Sequence, residues 1–423
     1  MSDARVTLRD CGGAQAAQAL TVDEARRRIE AGVQPVSGVE KLALRSALGR
    51  ILAEDILSPI DVPAHTNSAV DGYALVNADL RTGETVTLRV IGTSWAGRPF
   101  DGRMRTGECV RIMTGAVVPA GADTVVMQEH VQNESGAIRV AAGLQTGENV
   151  RAAGEDLARG QPALTAGKQL LPPELGLLAS IGLAEVPVRR RLRVAFFSTG
   201  DELRSIGQAL APGEIYDSNR YTLYGMLTRL GADILDLGVV RDDRAATRQA
   251  FTDAAANADV IITSGGVSVG EADYVKETLE ALGEIGFWQI AMKPGRPLAF
   301  GRVREAIFFG LPGNPVSVMV TFYQFVEPAL RRMMGQSDTR PASATFKVRC
   351  VSRLHKRPGR TEFQRGTLEP DAAGELVVRV TGQQGSGILR SMSAGNCFII
   401  LARDSGTVEP GTLVDVQPFH GIL

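Results

Sequence analysis

Acidic residues, hydroxyls and glycines gather at the ends of apolar runs in the second half of the chain. In DVIITSGGVSVGEAD an apolar run enters Ser264, Gly265, Gly266, Ser268 and Gly270, then reaches Asp273. Glycines let backbone N–H groups approach an anion, a helix N-terminus favours negative charge, and a nearby carboxylate can hold Mg²⁺ against phosphate oxygens. The spacing fits neither the dinucleotide fingerprint nor the P-loop, so an ordinary glycine-rich turn stays open as the plainer reading. FFSTGDEL sets Asp201 and Glu202 beside Ser198 and Thr199. That set suits metal coordination or water orientation, or simply a helix cap. PGEIYDSNRY places Asp217, Ser218 and Asn219 at a helix start, where capping and nucleotide contact are both open.

Cations follow. MKPGRPLAFG and FFGLPGNPVS contribute Lys293, Arg296, Pro297, Asn314 and Ser317. Lysine, arginine, serine and backbone N–H groups are the donors a compact oxyanion needs. PGRTEFQRG and TGQQGSGILRSMSAGN add Arg360, Arg365, Gln384, Ser386, Arg390 and Ser391, set against the prior that most arginines are solvated surface charges. In the first half, NSAVDGYA carries Asp71 and RIMTGAVVPAGADTVVMQEH carries Thr114. Both sit among common turn formers, so spacing alone does not decide their role. The histidines show no metal-ligand spacing, and no Ser/His/Asp or Cys/His nucleophile is evident.

The elements that must position these residues fall into blocks. At 423 residues with 44% hydrophobic content, the chain supports two to four domains and is too apolar to be disordered. Lysine plus arginine number 46 against 47 acidic residues, so no global pull toward nucleic acid or an anionic membrane is visible, and an anion must be held locally. Four widely spaced cysteines argue against a disulfide framework or zinc ribbon. Neither a signal peptide nor a membrane span is evident, which makes the cytoplasm the default expectation. Residues 1–20 are read as a loose leader. Thr21-x-x-Glu24 predicts a capped helix, LALRSALG a second, and LPPELGLLASIGL a third, giving a discontinuous, elongated helical linker domain over 21–60 and 155–188. Short β-rich runs over 61–154 predict an inserted β domain. Beyond the arginines at 189–193, strands alternate with helices to about 338, with FWQIAMK and LAFGRV as a strand pair. This predicts a doubly wound, mostly parallel α/β domain with ligands beyond the carboxyl ends of its strands. Residues 339–423 predict a C-terminal β domain.

Taken together, NSAVDGYA, IMTGAVVPAGADTVVMQE, GED, STGDEL, IYDSN, SGGVSVGEADYV, MKPGRP, GLPGNPVS, GRTEFQRG, GQQGSG and SAGNCFIIL resemble the molybdopterin molybdenumtransferases, the family of the bacterial MoeA type and the gephyrin E domain. The match spans about residues 20–420. The resemblance implies a four-domain subunit and a homodimer, with the active site between the α/β domain of one chain and the N-terminal domains of the other. It implies molybdate and adenylated molybdopterin as substrates, Mg²⁺ as cofactor, AMP as product, and the preceding adenylyltransferase and downstream cofactor-handling proteins as partners. By motif, Asp71, Thr114, Asp156, Glu202, Asp242, Asp273 and Lys293 take catalytic positions. Asp273, Glu202 and Asp242 become metal holders, and Arg296, Pro297, Ser317, Arg365 and Ser386 line the substrate site. One departure is Gln289, where family members often carry lysine, while Arg296 keeps a charge where lysine is common. The glycine-rich motif is shared with the adenylyltransferase, and gephyrin-like chains also act as scaffolds, so both alternatives are carried forward.

Overall fold

The structure is a computed structural model that describes residues 19–80, 83–266, 274–337 and 345–419. Ser268, Gly270 and Asp273 lie outside the described residues, as does most of the leader.

Strands and helices alternate through the centre of the chain: β1 (Arg193–Thr199), α1 (Ser218–Leu230), β2 (Asp233–Val240), α2 (Arg244–Asn257), β3 (Val260–Ser264) and α3 (Tyr274–Leu282). Then come β4 (Gly283–Gln289), β5 (Pro297–Val303), β6 (Ala306–Leu311) and α4 (Pro315–Thr321). The sheet order is β2-β1-β3-β6-β5-β4. Pairings from β2 to β6 are parallel and those of β5 antiparallel. Side-chain alternation along β1 sends Val194 and Phe196 into one core with Leu223 of α1, and Ala195 and Phe197 into another with Phe251 of α2 and Leu279 of α3. Both faces are covered, so the carboxyl ends of the parallel strands form the open edge.

The N-terminal segment departs from a purely helical linker. Helix Val22–Gly32 begins where expected, with Thr21 Oγ1 accepting from Glu24 N at 3.2 Å. Its apolar stripe of Val22, Ala25 and Ile29, followed by the C-cap Val33, is buried in the α/β core, which makes it a strut of that domain. LALRSALG is not a full helix. It makes a single 3₁₀ turn, Leu44–Ala47, between strand Val39–Ala43 and Gly49, whose φ of 78° ends it. The linker gains strand by pairing Val39–Ala43 with Glu185–Arg189 and Ile56–Leu57 with Pro162–Leu164, beside helix Pro172–Ser180. Between these halves, a six-stranded sheet from Gly72–Leu75 to Ala137–Val140 forms the inserted domain.

The C-terminal strands are β7 (Phe346–Cys350), β8 (Thr361–Pro370), β9 (Leu376–Val380), β10 (Cys397–Leu401) and β11 (Leu413–Pro418). Because β8 pairs with both β9 and β10, the ring β8-β9-β7-β11-β10 closes. Only part of FWQIAMK follows the expected pairing: β4 pairs with β5, but Met292–Lys293 turns away and adds in parallel to β8. The turn is fixed by Ile290 N donating to Arg296 O (2.8 Å) and Thr361 N to Ala291 O (2.9 Å), so one segment fastens the barrel to the central domain. Cys109, Cys350 and Cys397 are buried free thiols. No helix among the described residues is long and apolar enough to cross a membrane.

Candidate active site

A cleft of about 630 Å³ opens between the α/β domain and the barrel domain. Its α/β wall holds Thr199, Gly200 and Glu202 after β1, Asp242 after β2, and Gly265 and Gly266 after β3. Lys293 and Arg296 come from the segment leading into β5, Pro297 from its first position, Asn314 from the N-cap of α4 and Ser317 from its first turn. The barrel contributes Arg360, Gln384, Gly385 and Ser386.

The glycines close this wall. Gly265 has φ 91°, and a Cβ there would lie 2.6 Å from the Thr199 carbonyl oxygen. At Gly266 a Cβ would meet Val275 Cγ2 at 2.6 Å and Thr199 Oγ1 at 2.8 Å. Neither position admits a side chain without opening the gap between the ends of β1 and β3. The Gly265 N–H is itself occupied, donating to Leu311 O at 3.1 Å, so its contribution is conformational.

Behind the wall, Asn219 Nδ2 donates to Ser264 Oγ (2.8 Å) and Gly313 O (2.7 Å), tying β3 to the loop before α4. Asp217 caps α1, its Oδ1 accepting from Arg220 N at 3.1 Å. Both residues are buried supports that do not line the cleft. Asp217 Oδ2, Asn219 Oδ1, Ser198 Oγ and Thr199 Oγ1 are buried without a hydrogen-bond partner among the described residues, and Thr199 faces the cleft.

The charges are arranged unevenly. Burial pushes the Asp242 carboxyl up from its ordinary value, and repulsion from Asp201, Glu202 and Asp243 pushes it the same way. An acidic cluster strained in this manner fits a divalent cation, and Glu202 and Asp242 supply the hard oxygen donors Mg²⁺ prefers. No group of three or more His, Cys, Asp or Glu side chains that could hold a metal occurs among the described residues.

Arg365 is 1% exposed and sits beneath the barrel loop instead of in the cleft. Its Nε donates to Ser391 Oγ and its Nη2 to Gly385 O, both at 3.0 Å, while its backbone N donates to Gln384 Oε1 at 2.7 Å. Burial lowers its guanidinium to about 10. The same loop docks on α4 through Val316 N donating to Ser386 O at 3.0 Å.

Asp71, Thr114 and Asp156 do not line this cleft of their own chain, and all three are exposed. Asp71 Oδ1 accepts from both Thr114 N and Thr114 Oγ1 at 2.7 Å, which holds its carboxyl below the usual range. Gln289 is absent from the cleft lining, whereas Arg296 is part of it. Sequence reasoning did not single out Met292, Gly313 or Gly385, which carry no distinguishing side-chain signal. A second hollow, of about 640 Å³, lies among Val22, Tyr323, Phe363 and Ile400. Its Arg26 already bonds to Gln324 and Asp23, and none of its lining residues is glycine.

Fold and cleft together define a multidomain protein built around an α/β domain whose strand ends set cations beside an acidic pair in one cleft. Comparison with known proteins makes the class specific. Residues 20–182 match the MoeA N-terminal region (domain I and II), residues 195–332 a probable molybdopterin binding domain, and residues 347–419 the MoeA C-terminal region (domain IV). The chain is 44% identical over 405 residues to the molybdopterin molybdenumtransferase of Haemophilus influenzae, covering 96% of this chain and 100% of that protein. The Bacillus subtilis molybdopterin molybdenumtransferase is 34% identical, with 94% and 93% covered. Gephyrin of Dictyostelium discoideum is 33% identical over 89% of this chain and 59% of that protein. The crystal structure of the molybdopterin biosynthesis MoeA protein from Pyrococcus horikoshii superposes with a TM-score of 0.83 at 29% identity, covering 95% of this chain and 100% of that one. The chain belongs to the molybdopterin molybdenumtransferase family, enzymes of molybdenum cofactor biosynthesis.

Proposed function

We propose that this chain inserts molybdate into adenylated molybdopterin in an Mg²⁺-dependent reaction that releases AMP. The observation that carries the reading is the convergence, on one cleft, of the strand-end glycines, Lys293, Arg296, Ser317 and Ser386 with the Glu202–Asp242 pair. Lys293, Arg296, Arg360, Ser317 and Ser386 bind and orient the oxyanion, and the surplus positive charge at this end of the cleft neutralises it. Arg365 keeps the Gln384–Ser386 loop in place. Glu202 and Asp242, joined by Asp273 on motif grounds, would hold the magnesium. The ion held there would supply charge neutralisation for phosphate oxygens and Lewis-acid polarisation of the phosphoanhydride. Fixing the oxyanion beside the pterin thiolates supplies the proximity that replaces a covalent nucleophile.

A homodimer is part of this proposal. Tyr221 and Tyr224 on α1, with Ile206, Leu210, Ile215 and Tyr216 just before it, are exposed apolar side chains in one stretch of chain, as an unpaired subunit surface requires. Asp71, Thr114 and Asp156 would then serve the cleft of the partner subunit. We place the reaction in the cytoplasm, in keeping with three reduced, buried cysteines.

The test supplies the pure protein with adenylated molybdopterin, Mg²⁺ and molybdate, and measures AMP and inserted molybdenum together. Both should appear in equal amounts. Formation of an adenylate from molybdopterin and ATP would instead assign the preceding adenylyltransferase step, and peptide capture without AMP release a scaffold.

A further inference from the structure

One buried carboxylate beside the cleft has no place in the chemistry above. Glu362 on β8 is the register partner of Lys293 and is 5% exposed. Its Oε1 lies 3.8 Å from Lys293 Nζ, and its Oε2 accepts from Gln364 Nε2 at 3.1 Å. Gln364 is itself pinned by donating to His355 O at 3.1 Å. A second ammonium lies deeper in the same domain. Lys356 is 6% exposed, and its Nζ donates to the carbonyls of Arg357, Arg403 and Ser405 at 3.2, 3.2 and 3.1 Å. Burial lowers the pKa of this ammonium, and among the charges that oppose the shift Glu362 ranks first.

Two features separate this arrangement from an ordinary surface ion pair. At 3.8 Å the Lys293 contact is longer than a hydrogen bond, and the lysine side chain is 51% exposed, so its ammonium is steered but not captured. A buried carboxylate with Lys293 as its sole counter-charge would be left unpaired whenever Lys293 turned to a ligand, at a large desolvation cost. Lys356 offsets part of that cost, because its charge, held by three backbone carbonyls of the same domain, stays in the interior. Parallel pairing of Met292–Lys293 with β8 fixes the backbone of both partners.

We infer that Glu362 is a positioning residue for Lys293, aiming its ammonium into the cleft and releasing it to the oxyanion while Lys356 compensates the carboxylate. The inference deepens the molybdate reading of the cleft and rests on it. It assigns oxyanion affinity partly to a residue that never touches the oxyanion.

The test measures AMP release with molybdate and adenylated molybdopterin varied separately, in wild type, Glu362→Gln, Lys293→Met and the double variant, alongside direct molybdate titration by calorimetry. Glu362→Gln should raise the molybdate KM and Kd roughly tenfold, with less than about a twofold change in the KM for the adenylated pterin. In the Lys293→Met background the same change should add less than about twofold, because the tether has nothing left to aim. Equal effects in both backgrounds, or an unchanged molybdate KM and Kd, overturn the inference. Should Glu362→Gln fail to fold with Lys356 uncompensated, Glu362→Gln combined with Lys356→Met removes both buried charges and should show the same selective defect; wild-type molybdate affinity there overturns it equally. Wild type that binds molybdate but releases no AMP contradicts the transferase reading alone, and the Kd comparison still decides the tether.

Discussion

Arginines of the same chain behave in opposite ways at two places in the molecule. At the boundary between linker and α/β domain, Arg190 makes a bidentate pair with Asp259 at 2.7 and 2.8 Å, and Arg193 reaches the same carboxylate through its backbone N at 2.9 Å. Burial pushes the Asp259 carboxyl up, but these hydrogen bonds and charges outweigh it and hold the group below its ordinary range. In the cleft, Arg296 and Arg360 have no carboxylate partner among the described residues, and Arg365 is buried against neutral acceptors. The first cluster has completed its electrostatics within the chain. The second has not among the described residues, and on the proposed reading its counter-charge is the oxyanion.

Removing charge should therefore cost stability in one place and activity in the other. The largest effect is expected from Lys293→Met with Arg296→Met. Two charge-assisted contacts are lost, and kcat/KM for molybdate should fall about a thousandfold, with the urea midpoint unchanged. Next, Arg365→Met should cut activity about a hundredfold by loosening the Gln384–Ser386 loop. Its stability should stay within about 1 kcal/mol of wild type, since an apolar side chain replaces an uncompensated buried charge. A full loss of folding there would break the contrast.

Asp259→Asn should do the reverse, destabilising the protein by about 2 kcal/mol in urea titration while leaving both KM values alone. Because the folded-state pKa of Asp259 is depressed, its stabilisation is present above the ordinary carboxylate value near ~3.9 and is lost as pH falls through the lower folded value. The difference between wild type and variant should thus vanish in strong acid. The smallest effect is at Asp242, whose folded pKa is raised. The sign is opposite: stability is greatest below the ordinary value and falls as pH rises through the folded one. Near neutrality without divalent ions, Asp242→Asn should raise Tm by about a degree and abolish any further rise on adding Mg²⁺, as read by calorimetry.

Much of the site was legible because polar clusters sat at the ends of apolar strands, and parallel strands deliver their carboxyl ends to one edge. Glu202, Gly265 and Gly266 share the cleft for that reason, Asp242 was placed only by the family resemblance, and the Thr21 cap marked its helix through a purely local bond. What periodicity could not show was nonlocal. Nothing in FWQIAMK announces that Met292–Lys293 leaves the sheet for β8, or that β8 closes a barrel by pairing twice. Whether Arg365 faces ligand or loop depends on contacts with residues 385 and 391, a separation no window of sequence resolves. The helix Val22–Gly32 showed its stripe but not its destination.

On this account the oxyanion binds where Lys293, Arg296 and Arg360 meet the barrel loop, and molybdenum anomalous scattering from a crystal soaked in molybdate tests it most directly. The expected peak lies within hydrogen-bonding reach of Lys293, Arg296, Ser317 and Ser386. A cleft without a peak, alongside molybdate bound elsewhere on the chain, would contradict the account.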